Sequence, residues 1–126
     1  MKNNPLELIN LVIQAVLDKK GHNIVHVDLS KINSAVTDNF IICHGASTTQ
    51  VSAISDAVEK VAKEQLGEMV WHKEGGSNAE WILLDYVNVV VHIFHEQKRT
   101  YYNLEGLWAD ADLKNIPNTI SPTDKI

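Results

Sequence analysis

Two apolar runs in the second half of the chain constrain the fold more than any other feature. The first run spans residues 81–86, the second spans residues 89–94, and Val87-Asn88 lies between them. Apolar runs of strand length around a two-residue break are typical of a β-hairpin. Both runs are apolar at odd and at even positions, so both faces of this hairpin should be covered, as in the middle of a sheet.

Helical and strand patterns alternate along the rest of the chain. A helical apolar stripe begins near Asn4 and ends at Gly21, and it is wide enough either to be fully buried or to contact a partner as well as its own sheet. A second helix is predicted from Ser47, which forms a capping box with Gln50, to Gly67, which ends it. Further strand patterns cover residues 24–29, 40–44 and 69–71.

This order of patterns predicts an α/β fold, a single domain with a mixed sheet of about five strands packed with helices. The segment from Phe40 to Val70 should be a parallel strand-helix-strand crossover, whereas the later hairpin is antiparallel. Strand 24–29 carries His26 and Asp28 on its wetter face, which indicates an edge of the sheet.

The chain is expected to end in a loose tail. Beyond Trp108 the apolar pattern fades, and Pro117 and Pro122 interrupt a polar stretch. Such a segment has too little apolar surface to fold around. We therefore predict a domain over residues 1–111 and a flexible tail over residues 112–126.

The acidic balance of the chain bears on the class of its partner. The formal net charge is −5, with 11 Lys and Arg against 16 Asp and Glu, and the adjacent basic pairs are Lys19-Lys20 and Lys98-Arg99. Nucleic-acid binding draws much of its affinity from cationic side chains that displace counterions. We therefore expect little or no direct nucleic-acid binding, and a basic protein partner fits the charge better.

Cysteine usage and apolar runs bear on location. The single cysteine, Cys43, excludes an internal disulfide, suits a reducing compartment and lies in an apolar run, so we expect it to be buried. No apolar run approaches the ~18 residues that cross a membrane. Glu7, Asn10 and Gln14 interrupt any apolar signal segment. The prediction is a cytoplasmic protein with no membrane contact.

The sequence gives no support for catalysis or metal binding. His92 and His95 are three residues apart, which places them on opposite faces of a strand. The glycine turns at 45–47 and 75–77 lack the spacing of phosphate-binding loops. A nucleotidyl-transfer site needs paired acids to hold divalent metal, and Asp85 is the only acid on the hairpin strands. We expect no enzyme activity, no cofactor and no metal, with a nucleotide-binding or nucleotidyl-transfer enzyme as the alternative.

Amphipathic aromatic residues are concentrated beside the hairpin. Trp81, Trp108 and all three tyrosines lie between residues 79 and 108. Indole and phenol rings combine a large apolar surface with a polar group, and they often dominate protein contacts. This concentration predicts a binding surface, although the rings could instead pack in the core or join two copies of the chain.

Several short motifs resemble, in the same order, those of the ribosomal silencing factor family, also called the Iojap family. The resemblance covers roughly residues 6–111. The motifs are Thr37-Asp38-x-Phe40-Ile41-Ile42, Gly45-x-Ser47, Glu74-Gly75, Trp81-x-Leu83-Leu84-Asp85, Val89-Val90-Val91-His92-x-Phe94 and Tyr102-Asn103-Leu104-Glu105-x-Leu107-Trp108.

The resemblance implies a small non-enzymatic factor that docks on ribosomal protein L-fourteen of the large ribosomal subunit. Docked there, such a factor blocks joining of the small subunit and so represses translation, especially when nutrients are short. The resemblance also implies a nucleotidyltransferase-like fold without catalytic acids, and a homodimer when the factor is off the ribosome.

The resemblance assigns Trp81 to the contact with the ribosomal protein. We infer a similar role for other motif residues and for nearby charged residues at the rim of such a contact. Core packing is the alternative for the aromatic and leucine positions, and a solvated surface is the alternative for the charged ones. The predicted partner-binding residues are Trp81, Asp85, Phe94, Arg99, Tyr102, Leu104, Glu105 and Trp108.

The hairpin turn departs from the family pattern, which usually has Gly-Asp where this chain has Val87-Asn88. A β-branched valine resists positive φ. We therefore expect a different or longer turn in which Asn88 takes the left-handed position.

Overall fold

The structure, a computed structural model, describes residues 5–32, 35, 37–103, 106 and 111–117. This part of the chain forms three helices and six strands. The helices are α1 (Pro5–Asp18), α2 (Thr48–Leu66) and α3 (Glu96–Tyr102), and the strands are β1 (His22–Asp28), β2 (Asn39–Gly45), β3 (His72–Glu74), β4 (Trp81–Asp85), β5 (Val89–His95) and β6 (Asp112–Ile116).

The six strands form one mixed sheet in the order β3-β4-β5-β2-β1-β6. The β2 and β5 strands are parallel, and every other neighbouring pair is antiparallel. The predicted mixed α/β sheet and the β4-β5 hairpin are therefore confirmed. The parallel partner of β2 was predicted wrongly, because it is β5 and not the strand that follows α2. That strand lies at residues 72–74, and its three exposed residues suit the edge position that it occupies beside β4.

The predicted edge position of β1 is also wrong, because β6 pairs with β1 along its outer side. Ile24 lies opposite Ile116 and Asp28 lies opposite Asp112 in this antiparallel ladder. The loose tail predicted from residue 112 is therefore wrong for residues 112–116. The strand pattern of β6 is weak since only Ile116 is buried, and the ladder with β1 supplies the missing stabilisation. Residues 118–126 lie outside the described residues.

Alternate side chains of the central strands enter two different apolar clusters. In β2, Ile41 and Cys43 join the cluster formed with α1 and α2, whereas Phe40 and Ile42 join the cluster on the opposite face of the sheet. This alternation follows from the two-residue period of a strand. Cys43 is fully buried, as predicted, and burial raises the pKa of its thiol to about 12.

The helix termini follow the predicted capping chemistry, with one change. Ser47 Oγ accepts a hydrogen bond from the Gln50 backbone N–H at 3.1 Å, and Gly67 ends α2 with a φ of 65°. The Gln50 side chain also donates to the carbonyl oxygens of Lys19 and Lys20 at 3.0 and 2.9 Å, which ties the start of α2 to the end of α1. At that end Lys20, not the expected glycine, is left-handed, with a φ of 61°.

The turn between β4 and β5 places an unusual strain on Val87. Its φ is 78°, so the expectation that Asn88 would take the left-handed position is wrong. The Asn88 N–H donates to the Tyr86 carbonyl at 3.0 Å, which closes a three-residue γ-turn around Val87. Two side chains hold this conformation: Asp85 Oδ1 accepts from the Val87 N–H at 2.7 Å, and Thr37 Oγ1 donates to the Val87 carbonyl at 2.8 Å.

Candidate partner-binding surface

Trp81 opens β4 and lies opposite Phe94 of β5. The two rings stack with their centroids 4.9 Å apart and their planes 26° apart. Phe94 is fully buried, whereas Trp81 is partly exposed. The indole therefore covers Phe94 with one face and leaves part of its surface open on the sheet face opposite α1 and α2.

The backbone behind Trp81 requires a glycine. Gly75 has a φ of 85°, and a Cβ at this position would overlap the Trp81 carbonyl oxygen. Both the left-handed backbone and the close approach exclude other residues without strain. This contact gives a physical reason for the glycine of the Glu74-Gly75 motif, which the sequence alone places in a turn.

The polar contact to the indole comes from His92 of β5. Trp81 Nε1–H donates to His92 Nδ1 at 3.1 Å. Nδ1 must therefore be unprotonated, so the neutral ring carries its proton on Nε2. His92 is 4% exposed, and burial lowers its pKa from 6.5 to about 4. The sequence places His92 in a family motif and among the possible metal ligands, but it does not reveal this contact with Trp81.

His95, at the end of β5, does not contact Trp81 in the described hydrogen bonds and instead caps the following helix. His95 Nδ1 accepts from the Gln97 backbone N–H at 3.3 Å and caps α3. Within the described ranges, no group of three or more His, Cys, Asp or Glu residues is arranged to hold a metal ion.

Two other predicted residues, Asp85 and Arg99, make contacts within the fold. Asp85 lies at the other end of β4, where it accepts from the Val87 N–H. Arg99 is buried, and its Nη1 donates to His44 Nδ1 at 3.0 Å and to the His22 carbonyl at 3.4 Å. These contacts tie α3 to the sheet. A direct role of the buried residues Phe94 and Arg99 in a partner contact stays a prediction.

Other predicted residues fall at the edge of the described part. Tyr102 is the last residue of α3, and its backbone alone is described. Leu104, Glu105 and Trp108 lie outside the described residues.

A second exposed apolar patch, which the sequence analysis did not single out, lies near the opposite end of β4. The Trp71 N–H donates to the Asp85 carbonyl at 2.8 Å, and the Trp71 side chain is 72% exposed. Met69 and Val87 line the same cleft as Trp71 and are 63% and 45% exposed. The sequence signal for this patch is Met69-Val70-Trp71, an apolar run that is equally typical of a short strand.

No helix in the described part of the chain combines the length and the apolar character needed to cross a bilayer. Fold and surface together define a small mixed-sheet α/β domain with a partly exposed tryptophan on the sheet face opposite α1 and α2. The model of the family described as ribosomal silencing factor during starvation, RsfS, matches residues 2–125. The chain belongs to this family.

Relatives and solved structures agree with that assignment. A ribosomal silencing factor RsfS from Halalkalibacterium halodurans is 45% identical over 115 residues, which cover 91% of this chain and 97% of that protein. The Bacillus subtilis (strain 168) protein of the same name is 42% identical over 113 residues, covering 90% and 94%. A crystal structure of a Chromobacterium violaceum protein superimposes with a TM-score of 0.80 at 36% identity, covering 85% of this chain and 88% of that chain.

Proposed function

We propose that this protein silences ribosomes by docking on ribosomal protein L-fourteen of the large subunit. Bound there, it prevents the small subunit from joining and represses translation, especially when nutrients are limiting. Family membership supports the general role. The proposal places the protein in the cytoplasm with its ribosomal partner.

The observation that carries the proposal is the partly exposed indole of Trp81, which is fixed on two sides. Phe94 stacks beneath the ring, and His92 accepts its N–H. A side chain that is already ordered loses little conformational freedom on binding, so more of its contact energy appears as affinity. Large aromatic anchors of this kind are frequent hot spots in protein interfaces.

Charge supports a basic protein as the partner. The chain has a net charge of −5. Complementary charge mainly accelerates association and selects among partners, while the desolvated anchor sets the lifetime of the complex. Competition with subunit joining needs only this occupancy, so the proposed action is non-enzymatic and uses no cofactor.

Co-sedimentation with isolated large subunits tests the proposal. The protein should bind large subunits and be absent from joined ribosomes. Trp81→Ala should weaken binding by ~2 kcal/mol, or about 30-fold, if Trp81 is a hot spot. The matched control is Trp71→Ala, which removes the same kind of side chain from a position beside the other end of β4. A folded Trp81→Ala protein that binds as well as the control would remove Trp81 from the proposed contact.

The enzyme alternative has its own test. The described residues give Asp85 a turn-capping bond to Val87 N–H and bring no group of three candidate ligands around it. Calorimetry with ATP and magnesium should therefore give no micromolar binding signal. Micromolar binding together with nucleotide turnover would favour a nucleotidyl-transfer enzyme over the docking proposal.

We also propose that the free protein is a homodimer. Light scattering of the purified protein should give the mass of two chains, and added ribosomal protein L-fourteen should dissociate the dimer if both contacts use one surface. A dimer that binds the ribosomal protein without dissociating would place the two contacts on separate surfaces. A dimer that never binds it would favour a purely structural homodimer.

A further inference from the structure

His92 is a polar residue in an otherwise apolar part of the sheet. It lies on β5 between Val91 and Ile93, and its ring packs edge to face with Phe40 at a centroid distance of 4.7 Å and an interplanar angle of 85°. Its Nδ1 accepts from Trp81, and its Nε2 is buried with no hydrogen-bond partner in the described structure. A buried donor without an acceptor destabilises the folded state. Packing alone therefore does not account for an imidazole at this position, where an apolar side chain would avoid that cost.

We infer that His92 is a positioning residue that fixes which edge and face of the Trp81 indole a partner meets. This inference rests on the proposed docking role of Trp81. Stacking on Phe94 sets the plane of the indole. Stacking alone does not determine which edge of the ring carries the N–H toward His92. The hydrogen bond from Nε1 to His92 Nδ1 selects one of these orientations.

The register of the sheet explains why these two residues meet. Trp81 pairs with Phe94, and Leu83 pairs with His92, so Trp81 and His92 are diagonal neighbours on one face of the hairpin. Diagonal positions are within reach of aromatic side chains. Phe40 then holds the imidazole from the next strand, which keeps Nδ1 directed at the indole.

Two variants separate positioning from packing. His92→Phe keeps a ring of similar size, removes the acceptor and removes the orphaned Nε2–H. It should leave the melting temperature unchanged or higher and yet weaken binding to large subunits by about tenfold. His92→Asn keeps an acceptor near the position of Nδ1 but removes ring volume, so it should lower the melting temperature and retain more of the affinity. If His92 mattered only for stability, the variant with the lower melting temperature would also be the variant with the lower affinity for large subunits.

A double-mutant cycle shows whether His92 acts through Trp81. In the Trp81→Phe background, His92→Phe should change large-subunit affinity by less than about twofold, because the indole N–H that it would have oriented is absent. An undiminished tenfold effect in that background would overturn the inference.

A measurement without ribosomes keeps the inference separate from the proposed function. In the ¹⁵N-labelled protein, the Trp81 indole N–H resonance can be assigned by its loss in Trp81→Phe. His92→Phe should shift this resonance and speed its exchange with solvent, and His92→Asn should restore much of the protection. An indole resonance that is indifferent to His92→Phe overturns the inference even if docking is confirmed. A shifted resonance in a protein that never binds large subunits would leave the positioning intact and refute the proposed function.

Discussion

Trp81, at the start of β4, and Trp71, beside the end of β4, differ in a way that exposure alone does not reveal. Trp71 is 72% exposed, and its nearest described ring is the neighbouring His72, tilted at a centroid distance of 6.0 Å. Trp81 exposes less, but Phe94 and His92 fix both its plane and its N–H. The exposed area of a side chain limits how much surface a partner can bury on it. A side chain that is already held in place loses less conformational entropy on binding. This contrast favours the less exposed tryptophan as the anchor.

The largest expected effect concerns the support of the Trp81 end. Gly75→Val adds a β-branched side chain at a φ of 85° and against the Trp81 carbonyl oxygen. It should lower the free energy of unfolding by about 3 kcal/mol, measured by urea titration. Gly76→Ala is the control, because its Cβ would meet only Lys73 Cε at 3.7 Å. Equal stability of the two variants would show that the backbone behind Trp81 is not constrained.

Acid should also weaken the Trp81 end through His92. Burial lowers the folded-state pKa of His92 from 6.5 to about 4, so the unfolded chain binds the extra proton first. The free energy of unfolding is therefore highest above pH 6.5. It falls by a total of about 3 kcal/mol as the pH falls through 4, because the buried ring disfavours the charged form. Urea titrations of wild type and His92→Phe across this range isolate the term, because the carboxylates are common to both. Parallel pH profiles would contradict the assigned burial.

A smaller effect of opposite sign is expected at the other end of β4. Val87→Gly should raise the free energy of unfolding by about 1 kcal/mol, because glycine adopts a φ of 78° without strain and Val87 is 45% exposed. Asn88→Gly is the matched control, and since Asn88 has no positive φ, this change should be neutral or destabilising. Destabilisation by Val87→Gly would mean that the exposed valine side chain contributes more to stability than its strained backbone costs.

Local signals predicted the elements, while contacts distant in sequence determined what sequence alone missed. Ser47, Gln50 and Gly67 marked α2 because caps are local chemistry. The strand β6 depends on its register with β1, and the turn at Val87 depends on Thr37, which lies 50 residues away in sequence. The sequence of β6 does not show that β1 is its partner, and the sequence of the turn does not show that Thr37 contacts Val87.

The candidate site shows the same division. Trp81 is predicted as a contact residue from its aromatic surroundings and from the family motif. Its support by His92 could not be predicted, because the two residues meet only through the register that places Leu83 opposite His92. The visible signal was a histidine inside the apolar run from Val89 to Phe94, and the sequence offered no partner for it.

The smallest expected effect is on the stability of the Trp71 end. Trp71→Ala removes a side chain that is mostly in solvent, so the free energy of unfolding should change by less than ~0.5 kcal/mol. Trp81→Ala should cost about 2 kcal/mol more, because it uncovers the buried Phe94 ring and leaves His92 Nδ1 without its donor. Urea unfolding of both variants in the same buffer measures the difference directly. If Trp71→Ala proved as destabilising as Trp81→Ala, the exposed tryptophan would be part of a packed surface, and the distinction between a fixed and a loosely held ring would no longer select the anchor.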